Sequence, residues 1–196
     1  MIVVLNVFTV LLTILTTTGL LLYRDWRYSL GFLAAQYLVV FWLCQAHWPI
    51  SMAAVKLVTG WMACAALGIT QLSISRPTDA EETSWPQGRL FRLFSAGLIL
   101  VVTYALANSA SSWLGLSLPA AWASLILIGM GLLHLGITAQ PFRVILGLLT
   151  VLSGFEILYA AVEGSVLVAA LLAAVNLGLA LIGAYFLYAN PLEETR

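Results

Sequence analysis

The sequence predicts an all-α polytopic membrane protein, a bundle of seven transmembrane helices, and three observations support this fold class. Of the 196 residues, 62% are hydrophobic and only 8% are charged, whereas a soluble domain has about a quarter charged residues. The apolar residues form continuous runs of about 20 residues, the length that a helix needs to cross the hydrocarbon core of a bilayer. These runs do not alternate between polar and apolar residues, which favours helices over a β-barrel.

The predicted spans fill nearly the whole chain, so residues 1–196 are expected to form a single transmembrane domain. The seven spans are Ile2 to Tyr23, Tyr28 to His47, Ile50 to Ser73, Leu90 to Asn108, Pro119 to Thr138, Phe142 to Val162 and Ser165 to Ala189. The first span is expected to stay in the mature protein. No positive residue precedes it, and it is longer than the apolar part of a signal peptide.

The distribution of arginine predicts that the N-terminus lies outside and the C-terminus lies in the cytoplasm. With that orientation, every arginine near a span end lies on the cytoplasmic side and the outer connections contain no Lys or Arg. These arginines are Arg24, Arg27, Arg76, Arg89, Arg92, Arg143 and Arg196. The longest connection, residues 74–89, is predicted to be a cytoplasmic loop. Its acidic residues either dock a neighbouring subunit or are simply solvated.

Several function classes are excluded by composition and by missing motifs. The formal charge of +0 offers no basic field for a nucleic acid. Cys44 and Cys64 lie inside apolar runs, which indicates neither a disulfide framework nor a metal site. No glycine-rich phosphate loop, His/Cys cluster or activated nucleophile is evident. We therefore expect no cofactor, no bound metal and no catalytic centre in this chain.

A small set of polar side chains within or beside the predicted spans carries the functional hypothesis. A charge at the bilayer centre costs at least about 2.5–3.5 kcal/mol, so it is tolerated where it has a partner, a cavity or a use. The set comprises Gln36, Lys56, His134, Glu156, Asn176 and, near the outer end of its span, Glu163.

Lys56 and Glu156 are the central members of this set. Each lies about seven residues, or roughly 10 Å, from the outer end of its span. Equal depth invites the two charges to pair, and whether their helices are neighbours stays open. A carboxylate balanced by a counter-ion can exchange a proton as that counter-ion moves. Glu163 is expected to share a helix face with Glu156. A polar track from His134 through Asn176 and Glu156 to Glu163 is therefore conceivable.

A purely structural role is the alternative for Lys56, His134 and Glu163. Lys56 would then extend its apolar stem along the helix, so that its ammonium group reaches the membrane interface and needs no partner. His134 has an alternative as a helix–helix hydrogen-bonding group, and Glu163 as an ordinary interfacial residue. Glu156 is the hardest to explain in this way, because its short stem does not reach the interface.

The sixth and seventh spans resemble a known family. Residues 152–158 read L-S-G-F-E-I-L and are similar to the G-[LF]-E-[IL] signature of subunit K (chain 4L) of complex I. Related proteins are the Mrp antiporter C subunit and a longer membrane subunit of group 4 hydrogenases. Residues 178–181, G-L-A-L, are similar to the run in the next span of that family. The resemblance divides the chain into five additional helices in 1–139 and a subunit-K-like helix pair in 140–190.

The resemblance implies a role in ion translocation beside antiporter-like subunits. In that family, carboxylates on two successive helices line part of the ion path, and Glu156 matches the first of them. The second would fall at Ala174, which is not an acid, so Asn176 or Lys56 would have to substitute for it. The implied partners are other membrane subunits and the lipid bilayer, in a bacterial or archaeal cytoplasmic membrane.

Three functions stay open at this point. In the first, the chain is a subunit of a complex-I-like, Mrp-like or group 4 hydrogenase-like assembly that takes part in proton or sodium translocation through Glu156. In the second, it is a non-conducting structural subunit of the same kind of complex. In the third, it is a stand-alone small transporter, although no internal repeat or pair of broken helices is apparent.

Overall fold

The computed structural model describes residues 2–74 and 88–189, and it describes side chains from Val7 onward. Every regular element in this part of the chain is a helix. Its helices are α1 Ile2–Leu22, α2 Trp26–Cys44, α3 Ile50–Ser73, α4 Arg89–Leu114, α5 Leu118–Ile137, α6 Pro141–Val162 and α7 Val166–Ala189. Helices α2 to α7 are each long and apolar enough to cross a membrane, and Val7–Leu22 forms a shorter apolar stretch in α1. The prediction of a polytopic helical membrane protein is confirmed.

The helix ends follow the predicted spans closely, with one extension. Pro49, Pro119 and Pro141 lie at the starts of α3, α5 and α6, where the missing proline N–H costs no helical hydrogen bond. Helix α4 continues beyond the predicted end at Asn108, and it stops at Gly115, whose φ of 65° is the left-handed cap conformation. Of the predicted 74–89 loop, residues 75–87 lie outside the described residues, and so does Arg196.

The helices form two rows that face each other. Helices α1, α2 and α3 are neighbours in one row, and α5, α6 and α7 are neighbours in the other. Contacts between the rows pair α1 with α5, α2 with α6 and α3 with α7, while α4 packs mainly against α5. As a result, α2, α3, α7 and α6 surround one common interior, which we call the four-helix interior.

Glycines set the close approach of α5 and α6. A Cβ atom built on Gly154 would lie 2.7 Å from the carbonyl oxygen of Ser124, and one on Gly131 would lie 2.6 Å from Val151 Cγ2. Both distances are too short for a real side chain, so glycine is what allows these two backbones to pack together.

The buried face of α7 is not the one that its small-residue spacing suggests. Ala170, Ala174 and Gly178 recur every four residues, a pattern typical of a packing ridge, but Ala170 and Ala174 are exposed. The buried residues of α7 are Ala169, Ala173, Asn176, Ala180 and Gly183. The face is therefore centred on Asn176, because the helix turns its polar residue inward.

Arginine side chains close one end of the bundle. Arg92 Nη1 donates to the carbonyl oxygen of Leu21 at 3.2 Å, and Arg143 Nη2 donates to that of Tyr23 at 2.7 Å. Carbonyl groups at a helix C-terminus lack partners within the helix and attract positive charge. The start of α4 and the start of α6 are thereby tied to the end of α1. We call this end of the bundle, which carries Arg24, Arg27, Arg89, Arg92 and Arg143, the arginine end.

The opposite end is closed by a tryptophan. Trp48 precedes α3, and its indole Nε1 donates to the carbonyl oxygen of Glu163 at 2.9 Å. A tryptophan near a span end is typical of the aromatic belt at a membrane interface. The Trp48 side chain is instead buried in the packing between α2, α3 and the end of α6.

Candidate functional site

A buried ion pair crosses the four-helix interior between α3 and α6. Lys56 Nζ lies 2.7 Å from Glu156 Oε1, and each side chain is only 1% exposed. The pairing suggested by their equal depth is present in the structure. The alternative in which Lys56 extends toward the interface is wrong, because its ammonium is held inside the bundle by the carboxylate.

A second hydrogen bond crosses the same interior between the other two helices. The hydroxyl of Tyr37 in α2 donates to Asn176 Oδ1 in α7 at 2.7 Å, and both side chains are buried. Tyr37 also lies within electrostatic range of Glu156 and within hydrogen-bonding reach of the Ser153 side chain. Four polar side chains, one from each surrounding helix, therefore form one cluster, which we call the polar cluster: Tyr37, Lys56, Glu156 and Asn176.

Gly60 creates the space that Tyr37 occupies. Gly60 lies one helical turn after Lys56, and a methyl group there would overlap the Tyr37 ring. A glycine on α3 thus lets a large aromatic side chain from α2 enter the interior. This local arrangement places the Tyr37 hydroxyl within reach of α7.

Two atoms of the polar cluster have no hydrogen-bond partner among the described residues. They are Glu156 Oε2 and Asn176 Nδ2, and both are buried. A buried polar atom without a partner costs about 1–3 kcal/mol, more when it carries charge. A pair serving only to join helices would be expected to have its oxygens satisfied. The unused carboxylate oxygen can instead accept a proton.

His134 is buried but stands apart from the polar cluster. It lies in the last turn of α5, at the arginine end, where Arg143 and Arg92 are close enough to interact with it electrostatically. Its Nε2 atom has no hydrogen-bond partner among the described residues. The structure brings His134 next to two arginines rather than next to Glu156 or Asn176.

Glu163 does not share a helix face with Glu156, so that expectation is wrong. Helix α6 ends at Val162, and Glu163 follows with an extended φ of −138°. Its side chain is exposed. The structure therefore brings Lys56, Glu156 and Asn176 together and leaves His134 and Glu163 at the two ends of the bundle.

Gln36 is a further buried polar residue of the predicted set. Its side chain is 0% exposed, and neither Nε2 nor Oε1 has a partner among the described residues. It precedes Tyr37 in α2, so it points in a different direction around the helix. Among the described residues, Gln36 makes no side-chain hydrogen bond to the polar cluster, so we assign it no functional role.

Tyr37 and Ser153 were missed by the sequence reasoning. Tyr37 lies in the middle of an apolar run, and a buried tyrosine hydroxyl usually has a hydrogen-bond partner. That rule would have identified it. Ser153 lies one helical turn before Glu156, on the same side of α6. This spacing of three residues could have indicated that Ser153 faces the same interior as Glu156.

The position that the family resemblance gives to a second carboxylate lies outside the polar cluster. Ala174 is exposed on α7, whereas Asn176 points into the interior. Asn176 is thus the polar group that α7 contributes. Among the described residues, Glu156 is the one buried carboxylate.

No metal-binding group emerges from residues 2–74 and 88–189: no three His, Cys, Asp or Glu side chains cluster there. Comparisons of the chain with protein-family models, with curated proteins and with solved structures found no match. The functional interpretation therefore rests on the polar cluster itself.

Proposed function

We propose that this chain is a membrane subunit that takes part in proton translocation, with Glu156 as the group that binds and releases the proton. The observation that carries the proposal is the buried Lys56–Glu156 pair, whose second carboxylate oxygen is unused. Intramembrane carboxylates are costly and are typical of ion pathways.

The proton step follows from the chemistry of the pair. A proton arriving at Glu156 Oε2 makes the carboxyl group neutral and weakens its attraction for the Lys56 ammonium. When the proton leaves, the carboxylate charge returns and the ion pair forms again. Lys56 keeps its own protons throughout and acts as the counter-ion. Tyr37 and Asn176 lie beside the pair and can rearrange their hydrogen bonds as the charge changes.

The geometry favours a proton over a sodium ion. The Lys56 ammonium already lies 2.7 Å from Glu156 Oε1. A sodium ion bound to the same carboxylate would lie next to this positive charge and be repelled by it. A proton on Oε2 removes the negative charge and meets no such conflict.

The host assembly and the orientation are part of the proposal. The resemblance of residues 152–158 to complex I subunit K supports a place among antiporter-like subunits, in a complex-I-like, Mrp-like or group 4 hydrogenase-like complex. The excess of arginine at one end of the bundle supports a cytoplasmic location for the arginine end. The chain would then lie in a bacterial or archaeal cytoplasmic membrane with its N-terminus outside.

A second candidate function is a non-conducting structural subunit. The observation that favours it is the nearly complete burial of both charges, each 1% exposed. In that case the ion pair fixes the distance between α3 and α6, and no proton reaches Glu156.

Proton flux per assembled complex separates the two functions. We would measure pH changes in membrane vesicles that contain the assembled complex, for the wild type and for Glu156→Gln, with Glu163→Gln as a matched control that removes an exposed carboxylate. The proposal predicts that each assembled complex carrying Glu156→Gln loses all or most of its flux, even where the buried, unpaired Lys56 charge lowers the yield of complex, and that Glu163→Gln has little effect.

The structural function predicts the opposite pattern. Glu156→Gln would then lower the yield of complex, while the flux of each remaining complex would equal that of the wild type. Under that function the double variant Lys56→Met/Glu156→Gln would recover the yield, because no charge would be left buried without a partner.

A further inference from the structure

A cavity of about 520 Å³ opens at the arginine end, between the end of α1 and the start of α4. Its lining residues are Leu22, Tyr23, Arg24, Arg89, Arg92 and Leu93. Arg24 and Arg89 are exposed, whereas Arg92 is buried and donates a hydrogen bond to the Leu21 carbonyl oxygen. The cavity is separate from the polar cluster, so what it binds does not depend on the role proposed for Glu156; it shares with that proposal only the cytoplasmic location of the arginine end.

The described residues around this cavity carry a strongly positive charge. The arginine end has five arginines, and of the described carboxylates only Asp25 lies there. Asp25 accepts a hydrogen bond from the backbone N–H of Arg27 and so caps α2. An anion that enters the cavity therefore meets guanidinium groups without a carboxylate among its lining residues.

The position of the cavity also indicates what kind of anion fits. It lies at the ends of two apolar helices, which is the depth of the lipid headgroups in a bilayer. Leu22 and Leu93 form its apolar walls. Further along the same helices, Leu15 and Val101 are 62% and 68% exposed, so apolar surface continues from the cavity toward the membrane interior. Basic pockets between transmembrane helices on the cytoplasmic side are typical sites for anionic lipid headgroups.

We propose that this cavity binds the phosphate headgroup of an anionic phospholipid. Arg24 and Arg89 contact the phosphate, since guanidinium groups donate paired hydrogen bonds to phosphate oxygens. Leu22 and Leu93 contact the first carbons of the acyl chains. The lipid thereby occupies the junction of α1 and α4.

The test measures lipid binding by the purified, delipidated full chain in mild detergent. Native mass spectrometry would follow the titration of phosphatidylglycerol and of phosphatidylcholine with identical acyl chains. The variants are Arg24→Gln and Arg89→Gln, singly and together. The matched control is Arg27→Gln, which removes an exposed arginine from the same end without changing the cavity lining.

We expect the wild type to prefer phosphatidylglycerol. Because one basic residue near anionic lipid is typically worth about fivefold in affinity, each single variant should bind about fivefold more weakly and the double variant about 30-fold. Arg27→Gln should bind like the wild type. Circular dichroism of each variant checks that the helices are retained.

Three results would overturn the proposal. Equal binding of the two lipids would remove the role of headgroup charge. An equal loss for Arg27→Gln would show a diffuse surface attraction in place of a defined site. Competition by inorganic phosphate at concentrations equal to the lipid would show that a free phosphate, rather than a phospholipid, is the ligand.

Discussion

Breaking the buried ion pair by single substitutions should cost far more than removing it altogether. At 2.7 Å, the attraction between the two charges is roughly 6 kcal/mol for an effective dielectric constant of about 20. Removing one partner leaves the other charge buried, so we expect Glu156→Gln and Lys56→Met each to lower the free energy of unfolding by about 3–5 kcal/mol. Independent effects would add to about 6–10 kcal/mol. The double variant should instead lose less than either single variant.

The measurement is a double-mutant cycle on the full chain in mixed micelles. Unfolding would be induced by increasing the fraction of a denaturing detergent and followed by circular dichroism. Glu163→Gln serves as the control and should change the free energy of unfolding by no more than about 0.5 kcal/mol, because that side chain is exposed. A double variant whose loss equals the sum of the single losses would refute the reasoning, since the two charges would then not be coupled.

Two further substitutions test the packing around the polar cluster. Gly60→Ala should destabilise the bundle by about 1–3 kcal/mol, because the added methyl group overlaps Tyr37. Gly178→Ala is its control on α7, where nothing lies within 4 Å of the added carbon; equal losses would contradict the close contact. Gln36→Leu should stabilise the fold by about 1–3 kcal/mol, because both polar atoms of the buried amide lack a partner among the described residues. A lower thermal midpoint for Gln36→Leu would show that the amide is satisfied.

The sequence was sufficient for the helices, and it suggested the central pair. Span bounds follow from hydrophobic length, and prolines such as Pro141 mark helix starts for a steric reason that needs no tertiary information. The pairing of Lys56 with Glu156 was suggested by their equal depth in an apolar medium, but the sequence did not show that α3 and α6 bring them together. The arrangement of the helices was not predictable, since nearly uniform apolar surfaces do not specify which helices are neighbours.

The errors at the site have the same origin. Small residues occur all around α7, so composition did not distinguish the exposed Ala174 from the buried Ala173. The inward direction of α7 is set by Asn176, whose partner Tyr37 lies 139 residues away in the sequence. Glu163 was misplaced because the periodicity of α6 was continued past the residue where the helix ends.

The two-row arrangement has a consequence for how solvent reaches the buried carboxylate. Helices α3 and α7 form the outermost pair, and side-chain hydrogen bonds at Lys56, Trp61 and Asn176 fasten this pair to α6 and α2. Under the proposed function, protonation of Glu156 weakens the attachment at Lys56 and leaves the Tyr37–Asn176 and Trp61–Ala34 bonds in place. Under the proposed function, the α3–α7 pair is therefore the part of the bundle that can move away from α2 and α6. Its attachment at Lys56 depends on the charge of Glu156, whereas its attachment at Tyr37 does not.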